Sequence, residues 1–285
     1  MKTMKTMMIL SGVLLLSLML AEATLGNIQK RIIGGHDCGA TERLYHAVIE
    51  YHKDIVVGKN RPAPAFTCGG SLISKQWVLT VAHCAPDADD IKDGWKLYVR
   101  LGAHPSGLND VTLVEENNIH IFKDKGNIEH DIMLLHLTVE RTAKDTTFAK
   151  PPDCSPTSVP GKTSKLKLGN TVQIAGYGAT QADSNGNKVI GESDTLQCVE
   201  YEVVRCVNLS ESTKKQHVFC TKRVNVDTCP GDSGGGVVFG GDQLYGVHKG
   251  AIKRACHLPG IVMDVCEYKD WIWKTTHIPT WEIKP

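Results

Sequence analysis

Cys-x-x-Cys pairs are absent from the 285 residues, although the chain carries ten cysteines. Their absence removes the thioredoxin-type redox pair and the paired spacing of zinc fingers. His83-Cys84 and Cys256-His257 stand without a second ligand pair at such spacing, so no metal and no cofactor is expected. Long apolar runs are also scarce. The longest, Met7 to Leu20, spans 14 residues, short of the roughly 20 that cross a bilayer, so no membrane partner is expected. Neither charge sign is in excess, the formal net charge being +1, and nothing suggests nucleic-acid binding. The basic clusters "KTSKLKL" (162–168) and "TKKQH" (213–217) read as solvated loop faces, with a polyanion site as the alternative. No repeat of solenoid period and no low-complexity tract occurs.

The first residues form an address. Lys2 and Lys5 precede the apolar run, and Ala21-Glu22-Ala23 supplies a small-x-small cleavage site, the pattern of a secretory leader over 1–23. A secreted, extracellular chain with an even number of cysteines points to a disulfide framework. From Ile32 onward 254 residues remain, enough for one large β domain or two small barrels sharing a core. Short β-rich stretches recur, such as "HAVIEY" at 46, "KLYVRLG" at 96 and "TVQIAGYG" at 171, separated by Gly, Pro, Asn and Asp clusters. The fold class is therefore all-β. Only the end, "YKDWIWKTTH" from Tyr268, reads as helical. Segments 58–66, 151–165 and 181–188 are loops by composition, the middle one connecting two halves.

Residues 226–239, "VDTCPGDSGGGVVF", set Ser233 among glycines. By itself such a serine is as compatible with a tight turn as with a nucleophile. Two other stretches bear on it: "LTVAHC", with His83, and "EHDIMLLHL", with Asp131. A serine hydroxyl is a poor nucleophile at neutral pH. It needs an imidazole to take its proton and a buried carboxylate to orient that imidazole.

With "CGGSLIS" from Cys68 and "GDSGG" from Gly231, these stretches resemble the trypsin/chymotrypsin family of serine endopeptidases, from Ile32 to about Lys274. The resemblance implies two six-stranded antiparallel barrels with a C-terminal helix, and an active site in the cleft between them. It implies His83 as general base and acid, Asp131 as its orienter, Ser233 as nucleophile, and the Gly231 and Ser233 N–H groups as the oxyanion hole. It divides the chain into a signal peptide (1–23), an activation peptide (24–31) and a protease domain (32–285). "KRIIGG" offers a cut after Arg31 that frees the Ile32 amino group to pair with Asp232. The implied bridges are Cys38–Cys198, Cys68–Cys84, Cys154–Cys266, Cys206–Cys220 and Cys229–Cys256. A sixth family bridge is missing at both ends, at Val172 and Phe239. Asp227 stands where trypsin-like members keep the pocket carboxylate, with Gly250 and Gly260 as pocket walls, so Arg and Lys substrates are implied. The implied partners are protein or peptide substrates, an activating protease and protein inhibitors. A non-catalytic homologue acting as a secreted binding protein is the alternative reading.

Departures from the family pattern concentrate on one strand. Where the family usually reads Ser-Trp-Gly, the chain has His248, Lys249 and Gly250, unless a one-residue gap shifts the register. A charge at Lys249 suggests a preference for acidic residues at a neighbouring subsite. Pro230, Gly236, Tyr177 and Val262 also depart from the pattern. The loop beginning Ala103-His104 lacks the first carboxylate of the calcium loop of trypsins. Asn208-Leu209-Ser210 is the only glycosylation sequon. The tail "IPTWEIKP" carries no pattern that predicts a structure.

Overall fold

In chain order the strands are β1 (His36–Asp37), β2 (His46–His52), β3 (Thr67–Ser74), β4 (Trp77–Thr80), β5 (Lys96–Leu101), β6 (Asp110–Val114), β7 (Ile119–Lys123), β8 (Glu129–His136), β9 (Thr171–Gly176), β10 (Gln197–Val204), β11 (Val218–Lys222), β12 (Gly236–Phe239), β13 (Gln243–Gly250) and β14 (Gly260–Asp264). The structure, a computed structural model, describes residues 35–53, 67–105, 107, 110–140, 147–154, 165–178, 193–224, 231–250 and 259–282. The loops expected at 58–66 and 181–188, the leader, and most of the connector lie outside the described residues. No helix among the described residues is long and apolar enough to cross a membrane.

The C-terminal half forms a closed barrel. Its ladder runs β10-β11-β14-β13-β12-β9, and β9 pairs again with β10, leaving β1 as an extra strand on β10. Closure removes the exposed edges that an open sheet would present. The N-terminal half is a seven-stranded sheet in the order β6-β5-β2-β3-β4-β8-β7, a half-barrel where a second closed six-stranded barrel is expected. The difference lies at Glu115–Asn118, where a 3-10 turn at Glu116–Asn118 separates β6 from β7. Followed through that turn as one broken strand, β6 and β7 join the two ends of the sheet, and the ladder passes round six positions.

One hydrophobic cluster runs through both halves. Leu72, Val78, Leu79, Val99, Met133 and Leu134 of the first half share it with Val247, Met263, Tyr268 and Ile272 of the second. A smaller cluster, including Val172, Ile174, Val199, Val237 and Val262, fills the C-terminal barrel. The alternation along β10, where Val199, Tyr201 and Val203 are buried and Glu202 is exposed, is the period-2 pattern of a strand with one face on a core. Cys38–Cys198, Cys68–Cys84, Cys154–Cys266 and Cys206–Cys220 are bridged as the resemblance implies, while Cys229 and Cys256 lie outside the described residues.

Helix is more extensive than the sequence suggests. α1 (Ala88–Lys92) begins at a reciprocal capping box in which Asp87 accepts from the Asp90 N–H and the Asp87 N–H donates to Asp90. α2 (Glu211–Lys214) is capped by the Ser210 hydroxyl. α3 (Val265–Thr276) starts three residues before Tyr268, with Asp264 accepting from the Cys266 N–H at 3.1 Å. It stops at His277, which takes a left-handed conformation (φ 53°) and donates its N–H to the Trp273 carbonyl. The tail then turns through a 3-10 segment, Pro279–Trp281, and drives Trp281 into the main cluster at 0% exposure.

Removing that indole empties a well-packed space. Trp281→Ala is expected to lower unfolding stability by about 3–5 kcal/mol in urea titration. A loss below about 1 kcal/mol, of the size usual at surface sites, would show that the tail does not belong to the core.

Candidate active site

Antiparallel register sets the first pair. In the β4·β8 ladder Leu79 faces Leu134 and Thr80 faces Met133, so continuing one chain forward and the other back carries Ala82 opposite Asp131. A 3-10 turn at Ala82–Cys84, tied to β3 by the Cys68–Cys84 bridge, then presents His83 to the carboxylate. Asp131 accepts three hydrogen bonds or contacts from this one residue. The His83 N–H reaches Oδ1 at 2.9 Å, and ring Nδ1 lies 3.1 Å from Oδ1 and 2.9 Å from Oδ2. A carboxylate on Nδ1 favours the tautomer protonated there, leaving Nε2 as the basic nitrogen. The His83 side chain is 39% exposed and that of Asp131 12%, so the ring reaches solvent while the carboxylate is sheltered.

Electrostatics keep Asp131 ionised. Burial pushes its carboxyl up, but the His83 hydrogen bonds and the charges of His83 and Lys249 outweigh burial and hold it below its ordinary value. The depressed value places its contribution to stability above the ordinary carboxylate range, to be lost as pH falls through the folded value.

The Ser233 turn is built from backbone contacts that only glycines permit. Gly231 and Gly234 have φ of 102° and 84°, in the left-handed region that side chains disfavour. The Ser233 carbonyl accepts from the Gly69 N–H at 2.7 Å, and the Gly69 carbonyl accepts from the Thr80 hydroxyl at 2.8 Å. On the other side, the Gly234 N–H donates to the His248 carbonyl at 2.7 Å, and the His248 N–H returns a bond to Gly235 at 2.9 Å. The turn is thus stapled to β3 of one half and β13 of the other. A Cβ on Gly234 would strike the Gly69 carbonyl and the Thr80 hydroxyl.

Next to the serine, Asp232 is fully buried and accepts from the Gly178 N–H at 2.8 Å. A Cβ on Gly176 or Gly178 would collide with its carboxylate. The described hydrogen bond of the Ser233 hydroxyl goes to the Lys249 carbonyl at 3.3 Å. Gly250, at φ 131°, comes so close that a Cβ there would sit 3.3 Å from Ser233 Oγ. A Cβ on Gly260 would press on His248 and Thr221 at 3.3 Å. Arg31, Ile32, Asp227 and Pro230 lie outside the described residues.

Strand β13 carries a bulge between His248 and Gly250. His248 faces Val262 while Gly250 faces Ile261, so Lys249 is the extra residue. Its ammonium lies 3.3 Å from Asp131 Oδ2, with a side chain 21% exposed. The cation expected to meet acidic substrate residues is therefore engaged by Asp131. Gln216 completes this group: its Oε1 accepts from the Asp131 N–H at 3.1 Å and from Lys249 Nζ at 3.4 Å. Gln216 lies in "TKKQH", where Lys214, Lys215 and His217 are exposed as a solvated face requires, while Gln216 turns inward and the His217 backbone N–H donates to the Tyr268 hydroxyl. No local pattern marks Gln216, because its partners are 85 and 33 residues away.

Tyr177 is buried with its ring 5.7 Å from that of His46, Val262 lies in the core of the C-terminal barrel, and a Cβ on Gly236 would meet Ser71 Oγ. Among the described residues, Cys68, His83 and Cys84 gather as metal ligands do, but the two sulfurs are bonded to each other and offer no thiolate. Asn208 is exposed in a left-handed turn (φ 53°) just before α2.

A family model described as "Trypsin" matches residues 32–272. Trypsin-4 of Rattus norvegicus is 31% identical over 261 residues, covering 87% of this chain and 91% of that protein. Trypsin I-P1 of Gallus gallus is 30% identical over 258 residues (86% and 89%), and Trypsin-3 of Salmo salar 28% over 261 residues (86% and 92%).

The stapled turn predicts a contrast between two glycines. Gly241 has a similar φ of 93° with nothing within 4 Å of a Cβ, so Gly241→Ala is expected to cost only the backbone strain, about 1–2 kcal/mol. Gly234→Ala adds a collision and is expected to cost about 2–5 kcal/mol in chemical denaturation. Equal losses at the two sites would contradict the stapling of this turn between the halves.

Proposed function

The chain belongs to the trypsin family and is a serine endopeptidase, and on that premise we propose that it is a secreted zymogen cleaving peptide bonds after Arg or Lys. The observation that carries this reading is the clamp of Asp131 on the backbone and ring of His83, to which the glycine-built turn of Ser233 is linked through Lys249, whose carbonyl accepts from the serine and whose ammonium meets Asp131.

In the proposed cycle Ser233 Oγ turns from the Lys249 carbonyl toward His83, gives its proton to Nε2 and attacks the substrate carbonyl carbon. Asp131 stabilises the imidazolium without taking the proton. The carbonyl electrons move onto oxygen, where the Gly231 and Ser233 N–H groups receive the charge. His83 then protonates the leaving amine, the peptide C–N bond breaks, and an acyl-enzyme remains. Water, deprotonated by His83, hydrolyses that ester and restores the serine. Asp227 is the pocket carboxylate in this reading, with Gly250 and Gly260 leaving room for a long side chain. The close approach of Gly250 to Ser233 supports that placement.

Activation follows from the buried carboxylate. After removal of the leader (1–23) and the activation peptide (24–31), the Ile32 ammonium would pair with Asp232. A carboxylate fully buried in a glycine-lined space supports this role, because a cation brought to it offsets the cost of burying charge. The exposed position of Asn208 supports its glycosylation in the secretory route.

The test is to express the zymogen, cut it after Arg31 and compare Arg, Lys and Phe peptide substrates. Hydrolysis after Arg and Lys is expected only in the cut protein, with kcat lower by on the order of 10⁶-fold in Ser233→Ala. A preference for Phe would overturn the Asp227 pocket. Silence on every substrate, with the Ile32 terminus verified, would overturn the catalytic reading and favour a binding protein.

A further inference from the structure

Besides His83, two groups meet at Asp131, and all three residues come from separate parts of the chain. Lys249 lies on the bulge of β13, Gln216 on the loop between α2 and β11, and Asp131 on β8. Asp131 Oδ2 is shared: the His83 ring nitrogen approaches it at 2.9 Å and the Lys249 ammonium at 3.3 Å. Gln216 Oε1 joins the two ends of this arrangement, accepting from the Asp131 backbone N–H and from Lys249 Nζ. Gln216 therefore holds the cation against the carboxylate while fixing the strand that carries it.

We propose that Lys249 is a positioning residue for the reaction, clamped by Gln216, which orients the Asp131 carboxylate and offsets part of its charge on His83. The inference rests on the protease reading for its effect on rate, but the clamp itself does not depend on it. The lysine is not a substrate-facing charge. With its side chain 21% exposed and its partner 12%, the pair is partly desolvated and stronger than an exposed surface bridge.

The sign follows from charge alone. The protonated His83 ring is stabilised by the negative Asp131, and a cation on the same carboxylate subtracts from that field. With Lys249 in place the field of the carboxylate on the ring is therefore weaker. Other titratable groups around the pair are His130, next to Asp131 on β8, Asp124 on the β7–β8 turn, His217, and Tyr268 and Glu267 of α3. Burial holds His130 below its ordinary value, with His217 and Lys249 adding to that effect against Asp124. All of these are retained when Lys249 alone is replaced.

The experiment uses the cut full-length chain and the variants Lys249→Met, Lys249→Gln and Lys249→Arg. Two quantities are followed: the acidic limb of kcat/KM, and the Asp131 carboxyl-carbon resonance against pH. In the two neutral variants the acidic limb and the Asp131 titration are expected to move upward by about 0.5–1 pH unit, and Lys249→Arg is expected to restore both. Having two neutral replacements guards against a folding defect in one. Unchanged titration and an unchanged limb in the neutral variants would overturn the inference. If the parent chain hydrolyses nothing, the protease reading fails on its own, and the Asp131 resonance still decides whether Lys249 clamps that carboxylate.

Discussion

The Asp131 carboxylate is the fixed point of the molecule. It is largely sheltered from water, and sheltering an ion is costly unless it is fully paired. The surrounding elements meet that demand. The turn at Ala82–Cys84 supplies a backbone N–H and a ring nitrogen, β13 supplies the Lys249 ammonium, and the loop before β11 supplies Gln216 to hold the strand. Both halves of the fold thereby contribute to one side chain, and the position of His83 follows from it.

A second constraint is steric. Ser233 lies in a turn whose backbone is bonded on one flank to Gly69 and on the other to His248. Those approaches are too close for side chains, which is why glycines crowd this stretch. The same contacts join the half-barrel to the closed barrel, so the polar site and the seam between the halves are one structure. The large apolar cluster that passes from Leu72 and Met133 to Tyr268 and Trp281 supports the seam from within.

Much of this was legible in the sequence, and the reason is local. "LTVAHC", "EHDIMLLHL" and "GDSGG" are short stretches with particular residue types at fixed spacing, so His83, Asp131 and Ser233 could be singled out before any contact was known, and the structure brings the first two together. The four described bridges followed from the resemblance. Other features depend on contacts distant in the chain. Gln216 sits among charged residues and shows its role only when β8 comes beside it. Lys249 could be seen as a departure, but the bulge that turns it onto Asp131 is a property of the β13·β14 register. The burial of Trp281 was hidden because a short tail after a helix has no periodicity to read. α1 is a different case, since its Asp87–Asp90 cap was present in the sequence as a start signal of the kind that marks longer helices.

The central claim is that His83, Asp131 and Ser233 act together as one nucleophilic site. It is tested most directly by a fluorophosphonate probe that bonds covalently to an activated serine hydroxyl, applied to the chain after cleavage at Arg31 and read by peptide mass mapping. The account predicts labelling at Ser233, fast in the cut protein and reduced by orders of magnitude in His83→Ala and Asp131→Asn. Labelling at another serine, or the same slow rate at Ser233 in the parent and both variants, would contradict it.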